Sequence, residues 1–183
     1  MKVQIIYSSL SGCTKRVAES IYNGLAVEEK SIHNLADGEP TIDGDIILLG
    51  YWTDRAAPNK EMKEFMSKVS GKAVGMFCTL AYYADSAHAR ESLVNGINLV
   101  KDNNEIIGGY VCNGTISQAM IERMRQNTNG GHHSATPQKE IRWDILKNHP
   151  TKAECNLASE RFNERIELYK RFKENNVEFN SIL

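Results

Sequence analysis

The chain has 183 residues, of which 41% are hydrophobic and 25% are charged, and its formal net charge is −1. This length is enough for one domain with a full hydrophobic core, so we expect a single domain over residues 1–183. No apolar run is long enough to span a membrane, and a net charge near zero does not favour a nucleic acid or an anionic lipid surface as the partner.

The N-terminus and the cysteines indicate a cytoplasmic protein. The first residues, MKVQIIYSS, contain an apolar run that is too short for a secretory signal, and they lack a small-residue cleavage site. Cys13, Cys78, Cys112 and Cys155 are scattered and form no CxxC pair, which favours reduced thiols over a disulfide framework or a zinc site.

Apolar segments alternate with helix-like segments along the chain. Residues 3–7, 45–51, 73–79 and 105–112 are short continuous apolar runs, and residues 28–34 form a weaker run. Continuous apolar runs are typical of strands that are buried on both faces, and the weaker run suits an edge strand. Because these runs alternate with helices, the sequence predicts a parallel sheet with helices on both sides.

Stripes of apolar residues at helical spacing lie between and after the predicted strands. Thr151 and Glu154 form a capping box, which predicts that the last helix begins within HPTKAE. Residues 126–140 have the composition of an exposed loop, which is followed by a short segment around Trp143. The stripes consist of Val17, Ile21 and Leu25; Met62, Phe65, Met66 and Val69; Ala89, Leu93, Ile97 and Val100; and Ala158, Phe162, Ile166 and Tyr169.

The turn after the first strand, YSSLSGCT, holds several small hydroxyl residues around one glycine. Ligands of doubly wound sheets bind at the carboxyl ends of the strands, and this turn lies at such an end. N–H groups at the start of the next helix would attract an anion, and Gly12 would let the backbone approach it closely. The sequence therefore favours a phosphate-binding turn made of neutral donors, with a serine-rich turn that only caps the helix as the alternative.

Other phosphate-binding motifs do not fit this turn. The Walker motif GxxxxGK[ST] and the Rossmann motif GxGxxG are both absent from the sequence. A phosphatase would have an arginine six residues after its cysteine, but that position after Cys13 holds Glu19. A dinucleotide pyrophosphate and a phosphatase activity are therefore disfavoured.

The stretch YSSLSGCT resembles the flavodoxin signature, in which a strand is followed by S/T-x-S/T-G-x-T and a helix. The resemblance implies a flavodoxin-like three-layer α/β sandwich, with a five-stranded parallel sheet in the order 2-1-3-4-5. It also implies that the turn binds the phosphate of FMN. Cys13 stands where the family usually has asparagine, and it would contribute its backbone N–H. The loops are similar to those of the BilS-type flavodoxin-like proteins of anaerobic bacteria. The residues expected at the phosphate are Ser9, Leu10, Ser11, Gly12, Cys13 and Thr14.

Two further loops, YWTDRAAPN and TLAYYADSAHA, follow the second and third buried strands. The resemblance implies that Trp52 and either Tyr82 or Tyr83 sandwich the isoalloxazine ring, while backbone groups meet its polar edge. A strand-end aromatic without a ligand is the alternative for Trp52. In the family a glycine usually lets a peptide of the first loop turn its carbonyl toward the flavin, and Ala56 and Ala57 stand there in this chain. The residues expected at the ring are Tyr51, Trp52, Thr53, Asp54, Thr79, Leu80, Ala81, Tyr82 and Tyr83.

Several other polar residues have simpler interpretations. Asp85 is expected to cap the third helix, and His88 is expected at the surface of the first turn of that helix rather than against the ring. The thiol of Cys13 is expected to be structural, because a bound phosphate would oppose its ionisation. His132 and His133 would need further ligands to form a metal site, so no metal is expected.

The resemblance implies a carrier that binds FMN non-covalently and transfers electrons between a reductase and an acceptor enzyme, without a catalytic side chain. Redox partner proteins are thus the expected partners, and we expect a monomer or a weak homodimer. An FMN-dependent NAD(P)H oxidoreductase acting on quinone-like acceptors is the alternative, although the sequence has no clear nicotinamide motif. A binding module without redox activity on the same fold is a third hypothesis.

Overall fold

The computed structural model of the chain describes residues 1–131 and 134–180, which form an α/β structure. The strands are β1 (Val3–Tyr7), β2 (Lys30–Asn34), β3 (Ile46–Asp54), β4 (Ala57–Pro58), β5 (Ala73–Leu80) and β6 (Glu105–Asn113). The helices are α1 (Cys13–Gly24), α2 (Lys60–Met66), α3 (Ala87–Asn98), α4 (Gln118–Gln126), α5 (Pro137–Leu146) and α6 (Lys152–Glu174).

The main sheet is parallel and has the predicted topology. Its strands follow the order β2-β1-β3-β5-β6, and the short β4 pairs antiparallel with the end of β3. Without β4 this is the order 2-1-3-4-5, so the predicted fold class is confirmed. The third strand of that order is longer than predicted, because β3 continues to Asp54 and includes Trp52 and Thr53.

Helices cover both faces of the sheet, as the sequence predicts. On one face α1 and α6 pack in a buried cluster that includes Ile21 and Phe162, and on the other face α2 and α3 pack in a cluster that includes Met62 and Ile97. The inner strands β1 and β5 are buried along their whole length, whereas the edge strand β2 is only half-buried. This distribution explains why the inner strands have continuous apolar sequences and β2 does not.

The start of α6 is correctly predicted. Thr151 Oγ1 accepts the N–H of Glu154 at 3.2 Å, and the Glu154 carboxylate accepts the N–H of Thr151 at 2.6 Å. His149 Nδ1 also lies 2.7 Å from this carboxylate. Although α6 has 23 residues, neither it nor any other described helix is long and apolar enough to cross a membrane.

The expectation that Asp85 caps α3 is wrong. The Ser86 Oγ accepts the N–H of Ala89 at 3.1 Å, whereas Asp85 contributes its backbone carbonyl, which accepts from the guanidinium of Arg90 at 2.8 Å. Serine and aspartate are equally good N-caps, so the sequence does not distinguish two adjacent cap candidates. His88 is exposed in the first turn of α3, as expected.

The segment between β6 and α6 contains two helices. Helix α4 was not predicted from the sequence, and α5 is the short segment expected around Trp143, whose side chain is buried. Between these helices, residues 127–131 are mostly exposed, in agreement with part of the expected loop. The predicted bounds of 126–140 are wrong at both ends, because Gln126 belongs to α4 and residues 137–140 form the first turn of α5. His132 and His133 lie outside the described residues.

The tip of the β3–β4 hairpin is strained. Asp54 pairs with Ala57, so only Arg55 and Ala56 form the turn, with φ of 49° and 55°. Two-residue hairpins with positive φ at both positions favour asparagine and glycine, because most other residues lose about 1–2 kcal/mol in this conformation. Ala56 therefore stands where glycine is favoured, whereas Ala57 lies on β4. The Asn95 Nδ2 donates to the Ala56 carbonyl at 2.7 Å and thus stabilises the turn.

Replacing Arg55 by asparagine should stabilise the ligand-free protein by about 0.5–1 kcal/mol, because asparagine tolerates the left-handed conformation better. The melting temperature measured by circular dichroism should rise by about 1–4 °C. Arg55→Lys is the matched control, since lysine keeps the charge and the strained conformation, and it should leave the melting temperature unchanged. If both variants shift the melting temperature equally, the effect does not come from the turn.

Candidate functional site

The carboxyl ends of β1, β3, β5 and β6 border a cavity of about 250 Å³. Parallel strands end at the same edge of a sheet, so loops that are distant in sequence meet at this cavity. Helix α4 closes one side of the cavity with two methionines. The lining residues are Leu10, Ser11, Cys13, Trp52, Thr53, Thr79, Leu80, Ala81, Gly114, Thr115, Ile116, Ser117, Met120 and Met124.

The turn between β1 and α1 has the geometry of an anion site. Gly12 has φ of 84°, and a Cβ added there would meet no atom within 4 Å, so the space above the turn is open. Because α1 begins at Cys13, the N–H groups of Cys13 and Thr14 have no acceptor within the helix. The Ser9 Oγ accepts the N–H of Lys15 at 3.2 Å, which leaves the hydroxyl proton of Ser9 available to a ligand. These donors lie at the positive end of the helix, which favours an anion.

The thiol of Cys13 connects this turn to the loop after β6. Its Sγ accepts the N–H of Thr115 at 3.3 Å and the hydroxyl of Ser11 at 3.2 Å. The guanidinium of Arg16 lies 3.8 Å from the same Sγ and donates to the carbonyl of His149 at 2.7 Å. The side chain is buried, so it holds two loops together, while the backbone N–H remains at the helix start.

Trp52 and Tyr51 lie on opposite faces of β3, because side chains alternate along a strand. Trp52 is half-buried and lines the cavity beside Thr79, its partner in β5. Tyr51 is fully buried and its hydroxyl donates to the Ser92 carbonyl at 2.8 Å, and burial raises the pKa of this phenol. Tyr51 therefore anchors β3 in the core. The Thr14 side chain is also buried, with its Oγ1 2.9 Å from Thr79 Oγ1.

Tyr82 and Tyr83 lie outside the cavity wall. The guanidinium carbon of Arg142 lies 4.6 Å from the centre of the Tyr82 ring, a cation–π contact worth about 0.5–1 kcal/mol at an exposed site. The rings of Tyr83 and His88 pack edge-on against Tyr82, with centroids 5.3 Å and 6.5 Å away. On this side of the cavity, residues 80–81 form the wall instead of either tyrosine.

The expected site residues therefore fall into two groups. The structure brings to the cavity Leu10, Ser11, Cys13, Trp52, Thr53, Thr79, Leu80 and Ala81, with Ser9 and Gly12 in the adjoining turn. The side chains that do not line the cavity are those of Thr14 and Tyr51, which are buried, and those of Asp54, Tyr82 and Tyr83, which are exposed.

The part of the cavity wall that follows β6 was not predicted from the sequence. An Asn-Gly pair at positions 113–114 marks a turn at the same edge of the sheet, and it is the signal that could have predicted this wall. Ser117 follows as the N-cap of α4, where its Oγ accepts the N–H of Met120 at 3.3 Å. Met120 and Met124 are spaced one helical turn apart, which is typical of one face of a helix.

Among residues 1–131 and 134–180, no cluster of three or more histidine, cysteine, aspartate and glutamate side chains could hold a metal ion. The donors that face the cavity are instead backbone N–H groups and hydroxyls, next to an aromatic side chain and thioethers. This donor set suits an organic anion with a flat apolar part.

An open parallel sheet with an N–H-rich turn after its first strand defines a class of α/β proteins that bind phosphate-bearing ligands at the carboxyl edge of the sheet. A family model described as a flavodoxin domain matches residues 4–163, and the chain belongs to this family. The resemblance of YSSLSGCT to the flavodoxin signature is thereby confirmed.

The chain is also similar to individual known proteins. It is 28% identical over 129 residues to the flavodoxin-like domain-containing protein BilS from Clostridioides difficile, covering 69% of this chain and 73% of that protein. The crystal structure of Fusobacterium nucleatum flavodoxin bound to flavin mononucleotide has a TM-score of 0.53 at 17% identity, covering 93% of this chain and 97% of that one. The flavodiiron core from Synechocystis has a TM-score of 0.52 at 13% identity, covering 93% and 36% of the two chains. At these identities the two structures show a shared fold.

Proposed function

We propose that this protein binds FMN non-covalently in the cavity and carries electrons in the cytoplasm between a reductase and an acceptor enzyme. The observation that carries this proposal is the position of the β1–α1 turn. Ser11 and Cys13 of the turn border the same cavity as Trp52. A single FMN molecule could therefore place its phosphate at the turn and its ring beside Trp52.

The residues of the chain have distinct roles in this proposal. Ser9, Ser11 and Gly12, with the first N–H groups of α1, would bind the phosphate and fix its position. Trp52 would stack on one face of the ring and exclude water from it. The backbone groups of Thr53 and residues 80–81 would hydrogen-bond the polar edge of the ring.

Bound FMN supplies the transfer of one or two electrons, and the protein supplies binding, orientation and electrostatics. The family to which the chain belongs supports this proposal, and so does the Fusobacterium flavodoxin, which was crystallised with flavin mononucleotide. The residues that line the cavity include hydroxyl, thiol, thioether and aromatic side chains, and none of them is aspartate, glutamate, histidine or lysine.

Titration of the ligand-free protein with FMN tests the proposal. We expect one FMN per chain, a shifted absorbance spectrum and quenched flavin fluorescence, because the ring would stack on Trp52. Riboflavin should bind more weakly, since it lacks the phosphate. A protein that leaves the FMN spectrum unchanged would contradict the proposal, and bleaching of bound flavin by NADPH alone would favour the alternative oxidoreductase.

A further inference from the structure

A second opening lies directly beside the cavity. It is a cleft of about 600 Å³ formed by the β3–β4 hairpin and helix α4. Met120 and Met124 line both the cleft and the cavity, so the two spaces meet at these thioether side chains. The lining residues of the cleft are Arg55, Met120, Arg123, Met124 and Asn127.

The cleft has an uncompensated positive charge. Arg55 at the hairpin tip and Arg123 on α4 are both exposed, and within the described residues neither forms an ion pair. Asp54 and Glu122 are their neighbours in sequence, but neither carboxylate lines the cleft.

Other arginines near this region are already engaged. Arg125, on the same helix as Arg123, donates twice to the Glu140 carboxylate, at 2.7 Å and 2.5 Å. Arg142 packs over the ring of Tyr82. On α4, Arg123 therefore differs from Arg125 in having no carboxylate partner among the described residues, and Arg55 shares this property on the hairpin.

Apolar side chains that the described residues cover only in part also lie around the cleft, since Met120 and Met124 are half-buried. None of the residues of α4 is fully buried. Leu10 lines the cavity and is 58% exposed, so its apolar side chain faces solvent at the cavity mouth. Exposed apolar groups beside unpaired arginines are the composition of a protein interface, where methionine adapts its shape and arginine is enriched.

We infer that Arg55, Arg123, Met120, Met124 and Leu10 form a docking surface for an acidic face of a redox partner protein. This inference rests on the proposed function, because the surface surrounds the cavity in which FMN would bind. Carboxylates of the partner would pair with the two guanidinium groups, which present fixed, planar donors. Complementary charges of this kind mainly raise the rate of encounter and orient the partner. Each encounter would pass one electron from reduced flavin to the redox centre of the partner.

Charge reversal tests the inference. The double variant Arg55→Glu/Arg123→Glu would be loaded with FMN, reduced with dithionite and mixed with an oxidant at 0.1 M ionic strength in a stopped-flow instrument. Ferricyanide, a trianion, serves as the small anionic probe, and the basic protein cytochrome c serves as the protein probe. Each oxidant takes one electron from the flavin, and the flavin releases its protons to solvent.

The two probes should respond in opposite directions. The variant should react about tenfold more slowly with ferricyanide and several times faster with cytochrome c, because four units of charge change beside the flavin. Lys72→Glu/Lys101→Glu is the matched control, with the same total charge change at the amino ends of β5 and β6. A strand of eight residues such as β5 is about 26 Å long, which exceeds the screening length of about 10 Å at this ionic strength. The control should therefore change either rate less than about twofold.

Several outcomes would overturn the inference. Equal effects of the two double variants would show that net charge, not the cleft, determines the rates. A change with ferricyanide alone would show that the cleft admits a small anion but does not contact a protein. If the variant retains its FMN spectrum and both oxidants react at wild-type rates, the docking surface is wrong while the proposed function stands. If charge reversal prevents folding, the neutral variant Arg55→Gln/Arg123→Gln can be measured instead. It removes half as much charge, so the logarithm of each rate constant should change by about half as much.

Discussion

Replacing Ser11 by aspartate should weaken FMN binding by about 100-fold or more. Ser11 lies in the β1–α1 turn, lines the cavity and donates its hydroxyl to the Cys13 thiol. An aspartate at this position would place a carboxylate beside the phosphate dianion. Two like charges about 4 Å apart repel by about 1–4 kcal/mol between full and partial solvent exposure, and the phosphate has nearly two charges. The dissociation constants of FMN, measured by quenching of flavin fluorescence, would show the loss.

Two comparisons separate charge repulsion from damage to the turn. Ser11→Asn has nearly the same shape as the aspartate variant without its charge, and it should weaken FMN binding by no more than about tenfold, as expected for the loss of one hydrogen bond. Riboflavin has no phosphate, so its affinity for the aspartate variant should change little. If the aspartate variant lost riboflavin and FMN to the same extent, the phosphate would not lie at this turn.

The fold could be predicted from the sequence because it depends on patterns that are local. Strands buried on both faces require continuous apolar runs, and residues 3–7 and 73–79 have them. A helix start requires particular capping groups, and Thr151 with Glu154 supplies them. The β1–α1 turn was also predictable, because the need for small residues and free N–H groups at an anion site restricts the sequence directly.

The shape of the cavity could not be predicted in the same way. It depends on which of the candidate side chains are buried by helices and strands that are distant in sequence. Tyr51 and Trp52 are adjacent aromatics, and only the pleat of β3 determines that one enters the core and the other lines the cavity. Tyr82 is a plausible ring-stacking residue by sequence. In the structure it packs against Arg142, which is 60 residues away and belongs to a helix whose position the sequence does not specify.

The strained conformation of the β3–β4 hairpin could not be predicted from the sequence either. Nothing in YWTDRAAPN requires positive φ, and arginine and alanine are both poor choices for it. Pairing of Asp54 with Ala57 leaves only two residues for the turn, and this geometry requires the left-handed conformation at Arg55 and Ala56. Backbone strain beside a cavity is common in binding sites, and here it lies at the edge of the proposed docking surface.

Gly50 lies on β3 and packs closely against the core. A Cβ added to Gly50 would lie 2.1 Å from Cζ and 2.3 Å from Cε2 of the Phe77 ring, its neighbour across β3 and β5. Both residues are fully enclosed, so the ring cannot move into solvent. The absence of a side chain at Gly50 thus allows Phe77 to fill the core directly below the strand end that contains Trp52.

Replacing Gly50 by alanine should therefore destabilise the protein by about 3 kcal/mol, the upper part of the usual range for overpacking a core. Urea unfolding followed by circular dichroism would give this value, and the melting temperature should fall by about 6–12 °C. The double variant Gly50→Ala/Phe77→Leu is the decisive comparison, because the smaller leucine leaves room for the added methyl group. Phe77→Leu alone creates a cavity and should also destabilise the protein. The sum of the losses in unfolding free energy of the two single variants should then exceed the loss of the double variant by at least about 1 kcal/mol. Additive losses would mean that the Phe77 ring is not what excludes a side chain at Gly50.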